Sequence, residues 1–568
     1  MSRPDPTHVR PGARAARRHA IGKLLRGVFG IERLRDGQQQ VIDSVLDGQD
    51  TLAIMPTDSG KSLCYQIPAK LMRGTTVVVS PLISLMKDQR EKLEALGIGA
   101  IEVNSSLTRE QEQEALARIP DSANEIVFCT PERLALPAFV ALLARLRIDL
   151  VVLDEAHCIS RWGHDFRPAF LEIGGALGAL GGPPVLALTA TATDDVVGDI
   201  GRQLGRPHMR VINTGVYRAN LRYSEIQVTN HDERAARALA LVRARAGAGI
   251  VYAATVKAAE EMHALLEHAG ESVALYHGRL GADERRQSQD LFMGGARRVM
   301  VATNAFGMGI DKPDTRFVLH LQVPATLEAF YQESGRAGRD GAGADCILLY
   351  FQDDERVQQF FLARHYPGVA ELKAIHHDAC ALLRDGPATF EALRKGRCGG
   401  EQLAPGKLKV CLKLLKDARL LRQDRRLAFL PGKAEPGAET LQQLAGVYTH
   451  KQERDREALE QMVSYALSGS CRWKLLLDYF GDQVDGFERC GACDNCRCAP
   501  AVEAIVIRDD EFDTAPAAPA APAFEVGARV RVPKFDAGTV LAVAGDQVTI
   551  AFPDSATRTF LADYVRPA

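Results

Sequence analysis

Leu52 to Met55 form an apolar run that ends in the turn Pro56-Thr57-Asp58-Ser59 and then in Gly60-Lys61-Ser62. The run reads as a buried strand, and its ending supplies what a phosphate-binding loop requires. Glycine lets the backbone approach the phosphates, lysine reaches the β- and γ-oxygens, and the hydroxyl ligates Mg²⁺. Downstream, a second apolar run, Val151-Val152-Leu153, delivers Asp154-Glu155-Ala156-His157 at its end. Asp154 suits the Mg²⁺ shell, and Glu155 suits orienting or activating the attacking water. The two endings together point to a nucleoside triphosphatase, which the first alone does not.

Asp58 stands where such loops usually carry glycine or another small neutral residue. Two unit charges about 4 Å apart repel by roughly 4 kcal/mol at an effective dielectric near 20. A carboxylate aimed at the phosphates would weaken or slow binding. Asp tolerates positive φ, so a side chain turned to solvent costs little, and that mild outcome is the expectation.

A chain of 568 residues is expected to hold about three to five domains. Its 46% hydrophobic and 25% charged content is that of globular protein. The net charge of −2 excludes a polycation, so nucleic-acid contacts must come from local basic surface. No apolar run is long enough to span a membrane. The basic N-terminus (Arg3, Arg10, Arg14, Arg17, Arg18) lacks the apolar segment of a secretory signal. The expected location is therefore the cytoplasm. Most of the 12 cysteines sit singly in apolar runs, as Cys64, Cys129 and Cys346 do; only the group near residue 490 reads as a device.

Residues 1–20 read as a flexible basic arm. From 51 to 193 strand-like runs alternate with helical stretches: Thr76 to Ser80, Ile126 to Cys129, Leu150 to Asp154 and Val185 to Thr189. This is the pattern of a parallel sheet covered on both faces. Polar groups cluster after the strand ends, the edge where open α/β sheets bind ligands. A second alternating block runs from 216 to 356, with strands at Ile250 to Ala253, Val273 to Tyr276, Val299 to Ala302, Phe317 to Leu321 and Cys346 to Phe351. It has no second GK[ST]. It offers Gln332, Arg336 and Arg339 instead, and two arginines three apart on a glycine-loosened segment suit a γ-phosphate held across a cleft. Surface ion pairing is the bland alternative.

The order MPTDSGKSLCYQ, SPLISLMKDQ, TPERL, DEAH, CISRWGHDFRPAF, ALTATAT, ATNAFGMGIDKPD and YQESGRAGRDG resembles the RecQ family of superfamily 2 DNA helicases over residues 25 to 356. The resemblance implies two RecA-like lobes, 21–215 and 216–356, with ATP in the cleft between them. It implies phosphate and Mg²⁺ on Thr57, Gly60, Lys61 and Ser62, metal on Asp154, and the hydrolytic water on Glu155. Arg339 becomes the arginine finger and Arg336 a second contact, with Gln332, Gly309 and Asp311 completing the second lobe's share. Arg35 and Gln38 fall where the family reads adenine. Ile31 occupies a position where an aromatic often stacks on the base, so stacking should fall. Trp162, Phe166 and Arg167 match the aromatic-rich loop, where a ring and a cation beside the carboxylates can couple nucleotide state to a stacked base. Asn104 and His277 resemble DNA-backbone contacts.

From 357 to 440 helical periodicity appears at Glu371 to Arg384, Phe390 to Lys395 and Pro405 to Leu421, followed by a short basic hairpin. Three helices plus a hairpin suggest a winged helix. Lys409, Lys413 and Lys416 form a stripe on the last helix that would meet phosphates without reading sequence, or would simply be a solvated face. The common RecQ layout places a winged helix after the zinc module; here it precedes it. Residues 441–498 contain Cys471, Cys490, Cys493 and Cys496, four thiolates with the spacing of a closed, structural zinc site and the match to the RecQ zinc module. Residues 499–523 read as an Ala/Pro linker. Residues 524–568 alternate apolar and polar positions and resemble a small SH3- or Tudor-like barrel, a docking module for a protein partner.

The expected fold is thus α/β. Two tandem RecA-like parallel-sheet domains precede a winged-helix-like α+β segment, a helical zinc-binding module and a small C-terminal β-barrel. The expected function is an ATP-dependent DNA helicase using Mg²⁺ and Zn²⁺, moving 3′ to 5′ on single-stranded and branched DNA in repair or recombination. It would work in a bacterial cytoplasm at the nucleoid, away from membranes. The rivals are an RNA remodeller and a DNA-binding scaffold whose turnover Asp58 has weakened.

Overall fold

The computed structural model describes residues 11–56, 59–121, 126–160, 168–307, 312–355, 357–358, 368–396, 405–424, 428–432, 438–482, 484–497, 524–532, 537–544, 547–552, 557–561 and 565–567. The chain divides into two compact units, Met1–Ala499 and Pro500–Ala568. Among the described residues no helix is long and apolar enough to cross a membrane.

The first sheet is built from β1 (Thr51–Ile54), β2 (Thr75–Val79), β3 (Ala100–Val103), β4 (Ile126–Cys129), β5 (Ile148–Leu153), β6 (Val185–Thr189) and β7 (Arg210–Asn213). The order across it is β3-β4-β2-β5-β6-β1-β7, and its pairings are parallel. β1 runs beside β6, with Ile54 opposite Thr189. Every residue of β1, β2, β4 and β6 is buried. That follows from helices covering both faces, so successive side chains alternate into two apolar layers. Leu52, Val77, Val127 and Val151 enter one layer. Ala53, Val78, Phe128 and Val152 enter the other.

The second sheet contains β8 (Leu221–Gln227), β9 (Ala248–Tyr252), β10 (Val273–Tyr276), β11 (Val299–Ala302), β12 (Thr315–His320) and β13 (Ala344–Tyr350), in the order β10-β11-β9-β12-β13-β8 and all parallel. One face packs beneath its own helices, with Ala238, Met262 and Leu266 over Val251, Val301 and Leu319. The opposite face shares a core with the cysteine segment: Tyr223, Phe330 and Tyr331 pack with Met462, Tyr465, Trp473 and Phe480. That segment consists of the long helix Ala438–Leu467 and the short helices Arg472–Tyr479 and Asp494–Arg497. Trp473 Nε1 donates to Leu221 O at 3.1 Å. Asp494 accepts Glu225 N–H at 2.8 Å and Arg472 Nε at 3.0 Å.

Between them, helices Val369–Leu382, Phe390–Lys395 and Pro405–Asp417 and the antiparallel hairpin β14 (Leu421–Gln423) with β15 (Phe429–Pro431) enclose a separate small core. This is the content expected of a winged helix. The C-terminal unit is an antiparallel sheet of β16 (Arg529–Arg531), β17 (Ala537–Ala544), β18 (Gln547–Ala551), β19 (Thr557–Leu561) and β20 (Arg566–Pro567), in the order β19-β18-β17-β16-β20. The five strands match the number expected, and Val530, Val540, Val548 and Ile550 are the inward positions of their alternation.

Two expectations change. The arm over 1–20 is helical from Pro11, in a helix that continues to Gly27. Ile21 and Leu25 bury against Ile42 and Ile67, and Arg17 pairs with Asp47 at 2.6 Å, which is why the basic stretch orders. The strands β3, β7 and β8, absent from the sequence reading, flank the sheets. The linker expected at 499–523 lies outside the described residues.

Candidate active site

The loop after β1 sits at the C-terminal edge of the first sheet, and the helix Leu63–Leu71 begins directly after it. Gly60 has φ +73, a left-handed backbone that glycine adopts freely. A Cβ there would come within 2.6 Å of Gln38 Nε2. Gln38 is buried and uses its whole amide locally. Nε2 donates to Ser59 O at 2.7 Å and Gly60 O at 3.0 Å, and Oε1 accepts Arg35 N–H at 2.8 Å. Lys61 Nζ folds back to Met55 O at 3.3 Å.

β5 ends two strands away, across β6. Asp154 accepts from Ser80 Oγ at 3.3 Å. Its carboxyl is pushed up to about 7, chiefly by burial and next by the charge of Glu155, with the Lys61 ammonium opposing. A buried acid in that state gains most when a cation arrives beside it. Glu155 holds φ 51, a left-handed backbone rare for a residue with a side chain. Its Oε2 is 3.4 Å from His157 Nδ1. His157 in turn lies 3.2 Å from Thr189 Oγ1, which donates to Thr191 O at 2.8 Å. Glu155, the histidine and the end of β6 therefore form one polar network, with Asp154 held beside it by Ser80.

A cleft of about 510 Å³ gathers these parts. Ile31, Arg33, Arg35 and Gln38 line one end, and Gly60, Lys61, Ser62, Asp154 and Glu155 line the floor. Pro313 and Arg339, from the second lobe, line the opposite wall. Arg336 lies outside the lining: it is buried, and its guanidinium approaches Gly307, where a Cβ would stand 3.5 Å from it. Gln332, on the helix Leu327–Ser334, is half-buried and also outside the lining.

Asn104 and His277 each follow the edge strand of their sheet, β3 and β10. Asn104 is buried and accepts Ser106 N–H at 2.9 Å, so its side chain shapes its own turn. His277 is buried, with Nε2 3.3 Å from Glu260 Oε1. Lys409, Lys413 and Lys416 share the helix Pro405–Asp417. Lys413 and Lys416 are half-buried rather than projecting, and Lys416 Nζ lies 3.4 Å from Gln423 Oε1. Thr57, Asp58, Trp162, Phe166, Arg167, Gly309 and Asp311 lie outside the described residues. Three contributors escaped the sequence reading: Ser80, whose signal was its place in SPLISL at a strand end, Arg33 beside Arg35, and Gln89 on the cleft wall.

The sulfurs of Cys471, Cys490, Cys493 and Cys496 all lie within 4.8 Å of one another. A tetrahedral Zn²⁺ with Zn–S near 2.3 Å needs sulfurs about 3.8 Å apart, and Cys490 and Cys496 stand at 3.9 Å. Backbone N–H groups already point at the sulfurs: Cys490 N to Cys471 Sγ at 3.2 Å and Cys493 N to Cys490 Sγ at 3.3 Å. Those donors favour thiolates, and four thiolates leave no position for water. The cluster fits a structural zinc.

Three family models match the chain: "DEAD/DEAH box helicase" over residues 35–200, "Helicase conserved C-terminal domain" over 233–341, and "RecQ zinc-binding" over 438–497. The ATP-dependent DNA helicase RecQ of Bacillus subtilis is 44% identical over 346 residues, covering 61% of this chain and 58% of the relative. The probable ATP-dependent DNA helicase RecS of the same organism is 43% identical over 334 residues, covering 58% of this chain and 67% of the relative. Against the curated RecQ relatives the chain spans little more than half their length, 58%, 51% and 52%. Among solved structures, the Mycobacterium smegmatis helicase Lhr bound to ssDNA and AMP-PNP superposes with a TM-score of 0.50 at 21% identity, covering 75% of this chain and 62% of that one. At that identity the likeness is one of fold.

Proposed function

We propose that this chain, which belongs to the RecQ family of superfamily 2 helicases, is an ATP-dependent DNA helicase. One observation carries the proposal: a single cleft gathers Gly60-Lys61-Ser62, Asp154-Glu155 and, from the other lobe, Arg339. Phosphoryl transfer is achieved by positioning and charge stabilisation, and these are its parts. Lys61 and the loop amides would hold the phosphates, with Thr57 beside them, and Ser62 and Asp154 would hold Mg²⁺. When bound there, Mg²⁺ would supply charge neutralisation to the phosphates. Glu155, held by His157, would aim the water. Arg339 would meet the charge that develops on the γ-phosphoryl, with Arg336, Gln332, Gly309 and Asp311 supporting it. Arg35 and Gln38 would form the base end of the cleft, Gln38 with its amide already tied to Arg35 N–H, Ser59 O and Gly60 O.

Single-stranded DNA would cross the C-terminal edges of both sheets, near Asn104 and His277, with Trp162, Phe166 and Arg167 reporting nucleotide state and Lys409, Lys413 and Lys416 gripping duplex phosphates. The direction is 3′ to 5′, and branched repair or recombination intermediates are the substrate class. The C-terminal sheet would dock a protein partner in the manner of an SH3- or Tudor-like barrel, and the setting would be the bacterial nucleoid. Phosphate release measured with and without single-stranded DNA tests this. Stimulation by DNA, abolished in Lys61→Ala, is the expected result; a native protein that releases no phosphate with DNA present overturns it.

A further inference from the structure

The chain crosses between the two sheets once within the helicase core, over residues 213–218. Upstream, Thr214 N–H donates to Ile54 O at 3.0 Å, and Ile54 is the last residue of the strand that carries the phosphate loop. Gly215 follows at φ +83. Val216 is then held on both polar groups: its N–H donates to Asp482 Oδ2 at 2.7 Å, and its carbonyl accepts from Tyr331 Oη at 2.7 Å. Two residues on, the buried Arg218 guanidinium donates to Gly335 O at 2.8 Å, Ala337 O at 2.9 Å and Gly338 O at 2.8 Å. Those three carbonyls bracket Arg336 and lead straight into Arg339.

We infer that Arg218 is a positioning residue for hydrolysis, setting where Arg339 stands in the cleft, and that Asp482 fixes the strap on which Arg218 rides. The inference rests on the proposal that Arg339 acts on the γ-phosphoryl. Neither Arg218 nor Asp482 lines the cleft, so both act through other groups. A planar fork reaches the three carbonyls from two fixed nitrogens; a lysine ammonium has three donors, but all on one nitrogen at the end of a flexible stem, and does not reproduce that spread. Gly215 supplies the joint: it separates a residue tied to the phosphate loop from one tied to the arginine segment. A side chain there would be strained in the backbone and would press within 3.1 Å of Asp482 Oδ2.

The test compares native protein with Arg218→Lys, Asp482→Ala and Asp482→Asn. DNA-stimulated ATP turnover, fluorescent-nucleotide affinity without DNA, and melting temperature are measured for each. Arg218→Lys should lower kcat by roughly ten-fold or more, since a displacement near 1 Å of a catalytic group has that scale of effect. Nucleotide affinity, set by the first lobe, should stay within about two-fold. Asp482→Ala should show the same split more weakly, and Asp482→Asn, which keeps an acceptor for Val216 N–H, should recover most of the loss. Where Arg218→Lys does not fold, the Asp482 pair decides. Unchanged kcat in Asp482→Ala, or kcat and nucleotide affinity falling together with the melting temperature, overturns the inference. A native protein without turnover sinks the parent proposal, and this one with it.

Discussion

The two sheets are alike in direction and unlike in how they finish their cores. The first is covered on both faces by helices from its own stretch of chain. The second closes one face that way and completes the other with Met462, Tyr465, Trp473 and Phe480. A cysteine cluster that reads in sequence as a separate module is therefore part of the second lobe's interior: Cys471 and Cys493 are buried in that same core. Removal of the metal should therefore be felt asymmetrically.

Stripping zinc, or replacing Cys493 with alanine, should have the largest effect. Structural zinc binding is worth about 10 kcal/mol or more, far more than one contact. Amide exchange should quicken across β8 and β13 while β1 and β6 stay protected. Equal acceleration in both sheets would break the asymmetry. Trp473→Ala comes next, at about 3 to 5 kcal/mol for loss of a fully buried ring, read as a lower melting temperature with zinc content retained. Loss of zinc in that variant would mean that ring and metal are not separable.

A smaller effect is set by pH. Asp455, on the helix Ala438–Leu467, is pushed up to about 6 by burial and by the nearby charge of Glu328. Glu328 Oε1 accepts from Tyr479 Oη at 2.5 Å, so the acid lies where the long helix meets the second lobe. A carboxyl with a folded value above its unfolded one near 3.9 loses stability as pH rises through that interval. Asp455→Asn should therefore gain melting temperature over native protein as pH climbs from about 4 to 6, with the gap constant above. A gap that narrows with pH would reverse the sign and remove the acid from this interface. The smallest effect belongs to the first lobe. Ile31→Tyr adds a ring at the cleft's end, and stacking worth about 1 kcal/mol lowers KM for ATP by roughly five-fold. An unchanged KM would mean the base does not lie there.

Much of this was legible because parallel strands buried on both faces are continuous apolar runs. Ile126 to Cys129 and Val299 to Ala302 are such runs, and their strands match residue for residue. The strands that escaped notice carry weaker patterns. β7 buries only Ile212 of its four residues, and β8 alternates Leu221 and Tyr223 with polar neighbours. The floor of the cleft could be read from GKS and DEAH because loop chemistry is local. The strap could not: Arg218 meets its carbonyls more than a hundred positions along the chain, and Trp473 meets Leu221 across 252. No periodicity reports such distances. The lysine stripe shows what a helical wheel leaves out: packing leaves Lys413 and Lys416 half-covered on their helix.

The backbone at Glu155, φ 51, is one a glycine would occupy without strain. Holding a longer residue there costs about 1 to 3 kcal/mol. Durability and work thus pull against each other at a single position: Glu155→Gly should melt later than the parent chain and hydrolyse nothing. On the role proposed for Glu155, selection for toughness alone would erase the carboxylate, and its presence marks a spot where endurance is surrendered to keep a tool in hand.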